Sequence, residues 1–372
     1  VEGILTSQSP WVSVLDGFGG FGTINVGGTG ENTGDRFTVR ADAVAYQGHL
    51  AIFRLVTTCN GGALDTTEVA LTVGTRSSDD PVGPDRYGYY AFDNTDTSYP
   101  DAPVYSWIEI DPNLGGSGTQ VLLGDYADYQ DKSLGVTLPF TFKFYGAAFT
   151  RATICSNGWI AMGDTYLTDY RNWYLPGAGC PQNLIAAFWD DIYEVASPAG
   201  HVYQKYDAAN HRLIVEWSRM HNATGGTATF QAILLDPAYE QGPSGDGIII
   251  FQYSSVANTD GTDGYATVGI QNSDHTDAIT YTYFNNYPAG AAPLVAGRAI
   301  KFLPTTDQPS GNIQGTVRNA SHNLDPLPGA VVRLLGTIRT YTSGPDGTYG
   351  GTAPQGTYTA VCSRVGLAPD SV

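Results

Sequence analysis

Three pieces of one stretch decide the fold: LPFTFKFYG (138–146), TICSNGWIAMG (153–163) and LIAAFWDDI (184–192). In the first, Phe140, Phe142 and Phe144 fall on one face and Thr141, Lys143 and Tyr145 on the other, the period-two pattern of a half-buried strand. The second turns on Ser156-Asn157-Gly158, because Asn-Gly tolerates the positive φ angles of a tight hairpin. The third is short and nearly all apolar, and it ends in Trp189 and the adjacent carboxylates of Asp190 and Asp191. Together they predict the central strands of a β-sandwich, with an acidic corner where one strand leaves the core. Core packing is the expected role of Trp159, Trp189 and Trp217.

The same signals extend outward. Upstream, strands are expected at WVSVLDG (11–17), DRFTVRAD (35–42), LAIFRLVTT (50–58) and EVALTVG (68–74). The glycine-rich DGFGGFGTINVGGTGENTG (16–34) has no helix after it to supply phosphate-binding amides, so it is not a nucleotide loop. Downstream, strands are expected at 201–207, 212–220, 228–236, 247–256, 265–272, 278–284 and 298–304, with Gly, Asn and Asp between them. TRSSDDPVGPD (75–85) and TTDQPSG (305–311) have linker composition. The expected architecture is all-β, with three tandem β-sandwich domains at 1–76, 77–306 and 307–372.

Composition points the same way, with 46 glycines and 24 tyrosines among 372 residues. The formal net charge of -18 repels nucleic acid and anionic membrane and favours cations. No apolar run approaches the roughly 20 residues that span a bilayer as a helix. The chain opens at Val1 without an initiator Met or a signal peptide, so it reads as a processed product or a fragment.

Cys59, Cys155, Cys180 and Cys362 show no CxxC spacing. Four buried thiols is one reading; the preferred one is an oxidising compartment with Cys155 bridged to Cys180 across TYLTDYRNWYLPGAG (165–179). Cys59 and Cys362 then pair within the chain, between chains, or not at all. The sequons at Asn222 and Asn319 carry little weight.

The six histidines lack HExxH spacing and no serine sits in GxSxG, so hydrolase motifs are missing. Asp190, Asp191 and Glu194 read either as a glycosidase acid and base or, more simply, as carboxylates at a strand end. Clustered acids also suit a structural Ca2+ ion, which takes six to eight oxygen ligands. Asp93, Asn94, Asp96 and Asp101 form the best such set, Asp190 and Asp191 the second, and Asp260 and Asp263 the third. Tyr166, Tyr170, Trp173 and Tyr174, in the loop between Cys155 and Cys180, are the aromatics expected to contact a carbohydrate or a protein partner.

The pattern PLPGAVVRL, TSGPDGTY and APQGTYTAV across 315–366 resembles the carboxypeptidase regulatory-like (transthyretin-like) β-sandwich of secreted bacterial proteins. The middle region, with GPDRYGYYAFDNTD, PFTFKFYG, ICSNGWIAMG, AAFWDDI and ATVGIQN, resembles the large β-domain that follows the catalytic domain of gingipain-type cysteine peptidases. Its SNGW and FWDD elements also resemble nidogen-like extracellular domains, and the first segment is similar to the later part of an immunoglobulin-like domain. These resemblances imply secreted or cell-surface, non-catalytic modules. One expectation is a structural or adhesive protein. Its first sandwich is short and its last stops before an expected strand, and such edges predict a head-to-tail fibre by β-strand complementation between copies of the chain. The alternative is the accessory region of a larger secreted cysteine peptidase, for stability, targeting or binding.

Overall fold

A computed structural model of the chain describes all residues except 10, 43–44, 60–61, 126–129, 197–198, 223, 258–264, 305–309, 335–339, 355–358, 365, 368–369 and 372. The fold is all-β, and the chain divides into two compact units, Val1–Thr75 with Asp307–Val372, and Arg76–Thr306.

In the first unit, β1 (Glu2–Ser7), β2 (Val12–Asp16), β3 (Phe18–Gly20), β4 (Thr38–Ala41), β5 (His49–Thr58) and β6 (Leu64–Val73) form a sheet of order β3-β1-β5-β6 and a separate β2–β4 pair. Leu5, Val12, Ala51 and Phe53 are their core. The central strand β1, EGILTS, was not expected from its sequence. Gly3 weakens the local signal, yet a Cβ there would meet the Phe21 ring at 2.9 Å, so glycine is what lets that ring close over the strand. The later segment of this unit has its own small core of Val317, Leu327, Ala330 and Val332.

The second unit is a two-layer sandwich. It is built from β7 (Tyr89–Asp93), β8 (Thr119–Gln120), β9 (Ser133–Phe144), β10 (Ala147–Cys155), β11 (Trp159–Met162), β12 (Leu184–Trp189), β13 (Ile192–Tyr193), β14 (Val195–Ala196), β15 (Ala199–Asp207), β16 (Arg212–Asn222), β17 (Thr227–Leu235), β18 (Ile249–Ser255), β19 (Thr267–Gln271), β20 (Ala278–Tyr283) and β21 (Arg298–Pro304). One sheet has the order β20-β19-β12-β11-β10-β9; the other runs β14-β15-β16-β17-β18-β21-β7, with β13 on β16 and β8 on β15. All the pairings are antiparallel. Phe142, Phe144, Ile185, Phe188 and Ile270 from the first sheet meet Val215, Trp217, Phe230, Phe251 and Ile300 from the second. Trp217 stacks on Phe230 at 5.1 Å, and its indole donates to the Cys155 carbonyl at 2.8 Å, tying the layers by a hydrogen bond as well as by burial.

Several strands are buried on both faces: β12 and β19 throughout, and β17 at all but one residue. An antiparallel sheet normally leaves one face to water. Here irregular chain covers the second face, and polar side chains on the sheets hold it there. On the larger sheet, Glu216, Gln231 and Gln252 stand side by side on β16, β17 and β18. Gln252 accepts from the Ser106 amide at 2.6 Å and donates to the Ser106 carbonyl at 2.8 Å, Gln231 donates to the Ile108 carbonyl, and Glu216 accepts from the Ile110 amide at 3.2 Å. The row thus pairs with the strap at 106–110 as a neighbouring strand would. At its end, Asp111 accepts from Ser218 at 2.8 Å and pairs with Arg219.

The segment at 75–85, expected as a linker, is partly built into this unit: Asp80, Val82 and Asp85 are buried, and Val82 bridges to Ala91. The expected hairpin is present, with Cys155 opposite Trp159 and Gly158 at φ 75°. A Cβ on Gly158 would lie 1.9 Å from the Phe188 carbonyl oxygen. Gly158→Ala is therefore expected to destabilise this unit by about 3 kcal/mol or more, read from the urea midpoint; a loss below ~1 kcal/mol would contradict the close approach.

Candidate functional site: a tethered aromatic loop

The outer face of the smaller sheet carries Cys155, Trp159, Ala161, Leu184, Ala186 and Trp189, which alternate with the residues that face the main core except at an irregularity between Ala186 and Trp189. Leu175 and Cys180, from the loop at 163–183, close over them to form a second small core. Buried polar groups on the sheet then fix the loop's backbone. The indoles of Trp159 and Trp189 both donate to the Asp169 carbonyl, at 3.0 and 2.9 Å, and Asn157 donates to the Thr168 carbonyl at 3.1 Å. Thr267 donates to the Trp173 carbonyl and Thr280 to the Leu175 carbonyl, both at 2.8 Å, while Gln271 accepts from the Gly177 amide at 2.7 Å. Asn172, itself buried, donates to Thr267 at 3.2 Å.

This frame turns the four expected aromatics outward: Tyr166 is 100% exposed, Trp173 and Tyr174 56% each, and Tyr170 is exposed as well. Trp159 and Trp189, by contrast, are wholly buried. The structure adds Tyr283, whose ring meets Tyr174 edge-on at 5.9 Å, and Phe284 beside it at 6.2 Å. Neither was singled out from the sequence. The strand that carries Thr267 and Gln271 was expected at 265–272, but their hydrogen bonds to the loop were not legible in the sequence.

Cys155 and Cys180, the pair expected to be bridged, are both free thiols. Each faces polar groups of its own, Cys155 the Asn157 amide and Cys180 the Gly177 amide and the Gln271 side chain. The hydrogen bonds above therefore pin the loop without a covalent link. Burial pushes the Cys155 thiol far above its ordinary range and that of Cys180 up to about 12, so neither is ionised at neutral pH. Cys59 and Cys362 form no disulfide either.

Most of the acidic residues expected to hold Ca2+ have other partners. Asp93 accepts from the Thr95 amide and hydroxyl, Arg298, Tyr281 and the Ala292 amide, which uses both carboxylate oxygens fully. Asn94 accepts from Arg298 and the Ala299 amide, and Asp101 pairs with Lys301 at 3.2 Å. Asp190 is buried at the strand end, where it accepts from the Asp191 amide. Nearby, Glu194 accepts from the Val202 amide at 3.0 Å and faces His201 at 3.5 Å; burial and Asp125 push its carboxyl up to about 7. Among the described residues, no group of three or more His, Cys, Asp or Glu converges as a metal site. Asp260 and Asp263 lie outside the described residues.

What the fold and this surface define is a two-layer antiparallel β-sandwich domain that presents an anchored aromatic loop. A family model described as NIDO related matches residues 109–309, just over half of the chain, and the chain belongs to that family. Domains of this kind are typical of extracellular proteins, and no helix among the described residues is long and apolar enough to cross a membrane. No curated protein and no solved structure matches the chain.

Asp96 shows how burial governs the acids. Its Oδ2 accepts from the Asp93 amide at 2.8 Å, but its buried Oδ1 has no hydrogen-bond partner among the described residues, and burial, with Asp93, Asp80 and Asp79 adding repulsion, pushes the carboxyl up to about 8. A carboxyl raised on folding stabilises fully below its unfolded value near 4, and that contribution is lost as the pH rises through about 8. Asp96→Asn puts an amide donor among acceptors and removes the charge. The variant is expected to melt roughly 5 °C above the parent at pH 8.5 and level with it at pH 4, by calorimetry; an equal gain at both pH values would contradict the assignment.

Proposed function

We propose that this chain is a non-catalytic extracellular structural or adhesive β-protein that acts by contact, with the loop at 163–183 as its binding face. The observation that carries this reading is the contrast within one loop: a backbone hydrogen-bonded to buried side chains, and large aromatic rings left in water. Monomeric proteins seldom leave several rings together in solvent without a use for them, and rings on a fixed backbone lose little entropy on binding. The state of the thiols supports the non-catalytic part, since a reactive cysteine needs a lowered pKa and Cys155 and Cys180 have raised ones.

Assembly into a fibre has one supporting feature of its own. The ten-residue strand β6 pairs with β5 along one side and, among the described residues, with no strand along the other. Such an edge accepts a further strand from a second copy. The accessory-region reading, in which the chain serves a secreted cysteine peptidase, rests on the sequence resemblance alone.

The test uses the labelled full chain on immobilised collagen, fibronectin and bacterial cell-wall sacculi. Retention is expected on at least one surface, and the Trp173→Ala/Tyr174→Ala variant is expected to lose it at least tenfold while melting normally. Retention nowhere, or equal retention by the variant, would overturn the reading. Sedimentation velocity of the same preparations reads the fibre: concentration-dependent growth supports it, and a monomer throughout removes it.

A further inference from the structure

We propose that the contact face is a platform for a neutral polysaccharide, formed by Trp173 and Tyr174 of the loop together with Tyr283 and Phe284 at the end of β20. The proposal rests on the reading of the loop as a binding face and adds to it a ligand class and two residues.

The added residues come from an unusual turn. Phe284 and Asn285 have φ angles of 54° and 57°, in the left-handed region that a bulky aromatic rarely enters. The turn is closed by the Asn286 amide donating to the Tyr283 carbonyl at 2.9 Å and the Tyr283 amide donating to the Asn286 carbonyl at 3.3 Å. The Phe284 amide donates to the Tyr265 carbonyl at 2.9 Å. That conformation leaves Phe284 47% exposed, although the buried core of the sandwich begins one residue away in space, at Tyr265. A strained backbone that exposes an apolar ring is a feature of binding sites rather than of packing. Tyr283 links this ring to Tyr174, so loop and strand end share one aromatic surface.

Charge selects the occupant. The chain carries a net charge of -18, but the loop at 163–183 contains two Asp and one Arg, with Asp164 paired to Arg151 at 2.7 Å, and the strand end at 278–287 contains no charged residue. A locally neutral patch within an acidic field repels uronic-acid and sulfated polymers and nucleic acid and tolerates uncharged ones. Flat rings fixed in place match the C–H faces of pyranose units, while asparagine and tyrosine at their edges match hydroxyl groups. A neutral glycan meets all three conditions.

The experiment is affinity electrophoresis and titration calorimetry of the full chain with hydroxyethyl cellulose, xyloglucan and galactomannan, with heparin and alginate as anionic comparisons. The proposal expects binding to at least one neutral polymer and none to the anionic ones. Trp173→Ala and Phe284→Ala are each expected to weaken that binding at least tenfold. Both side chains are exposed, and a melting curve within about 2 °C of the parent confirms that the fold is kept. Binding to no neutral polymer, preference for heparin or alginate, or full binding by Phe284→Ala would each overturn it. If the loop variant loses retention on collagen, fibronectin or sacculi while no purified polysaccharide binds, the contact face stands and the glycan assignment falls. If polysaccharides bind and neither variant weakens that binding, the glycan assignment to this face falls, and retention of the Trp173→Ala/Tyr174→Ala variant on collagen, fibronectin and sacculi decides the contact face.

Discussion

A buried hydrogen-bonding group that finds no partner costs about 1–3 kcal/mol, and that constraint shapes both outer faces of the central sandwich. Glu216, Gln231 and Gln252 on one sheet, and Thr267, Gln271 and Thr280 on the other, are polar residues where an open sheet would meet water. In each case the partners are backbone groups of an irregular segment laid across the strands. The arrangement satisfies two needs at once: the covering segment has no ladder of its own, and the sheet's polar side chains lose their solvent. It also explains why strands such as LIAAFW are apolar on both faces, a pattern usually associated with parallel sheets.

The same dependence produces the unusual electrostatics. Closing chain over the sheets buries carboxyl groups, and their state then depends on local partners. Asp93 pairs with Arg298 at 3.0 Å and accepts from four further donors. Glu216 shares its surroundings with Glu109, so burial and like charge both raise its pKa. Asp85, buried near Asp277, is raised for the same reasons even though it accepts from Tyr145 and the amides of Gly88 and Tyr89. An acidic chain thus holds several of its acids in positions that favour the protonated form, and these are structural positions within the sandwich.

Much of this was legible in the sequence, because much of it is local. The strand at 138–144, the Asn157-Gly158 hairpin and the three buried tryptophans follow from alternation and turn chemistry alone. So does the outward set of Tyr166, Tyr170, Trp173 and Tyr174, which sit between turn residues rather than in a strand pattern. What escaped depends on non-local contacts. Strand β1 hides behind a glycine that is needed by Phe21, 18 residues away in the chain. Phe284 reads as the last residue of an alternating strand, and only the left-handed turn after Tyr283 moves it to the surface. Cysteine count and spacing suggest a Cys155–Cys180 bridge, but both thiols are free and the loop is held by hydrogen bonds from residues such as Thr267 and Gln271, about 90 positions later.

The aromatic rings are presented because the loop beneath them is tied to the sheet. Amide hydrogen exchange on the full chain measures that tie most directly. The Ser106, Ile110 and Gly177 amides, each bound to a buried side chain, are expected to exchange as slowly as the amides of β12 and β17, through global opening of the sandwich. Exchange of these amides within seconds, at the rate of an unprotected loop, would contradict it.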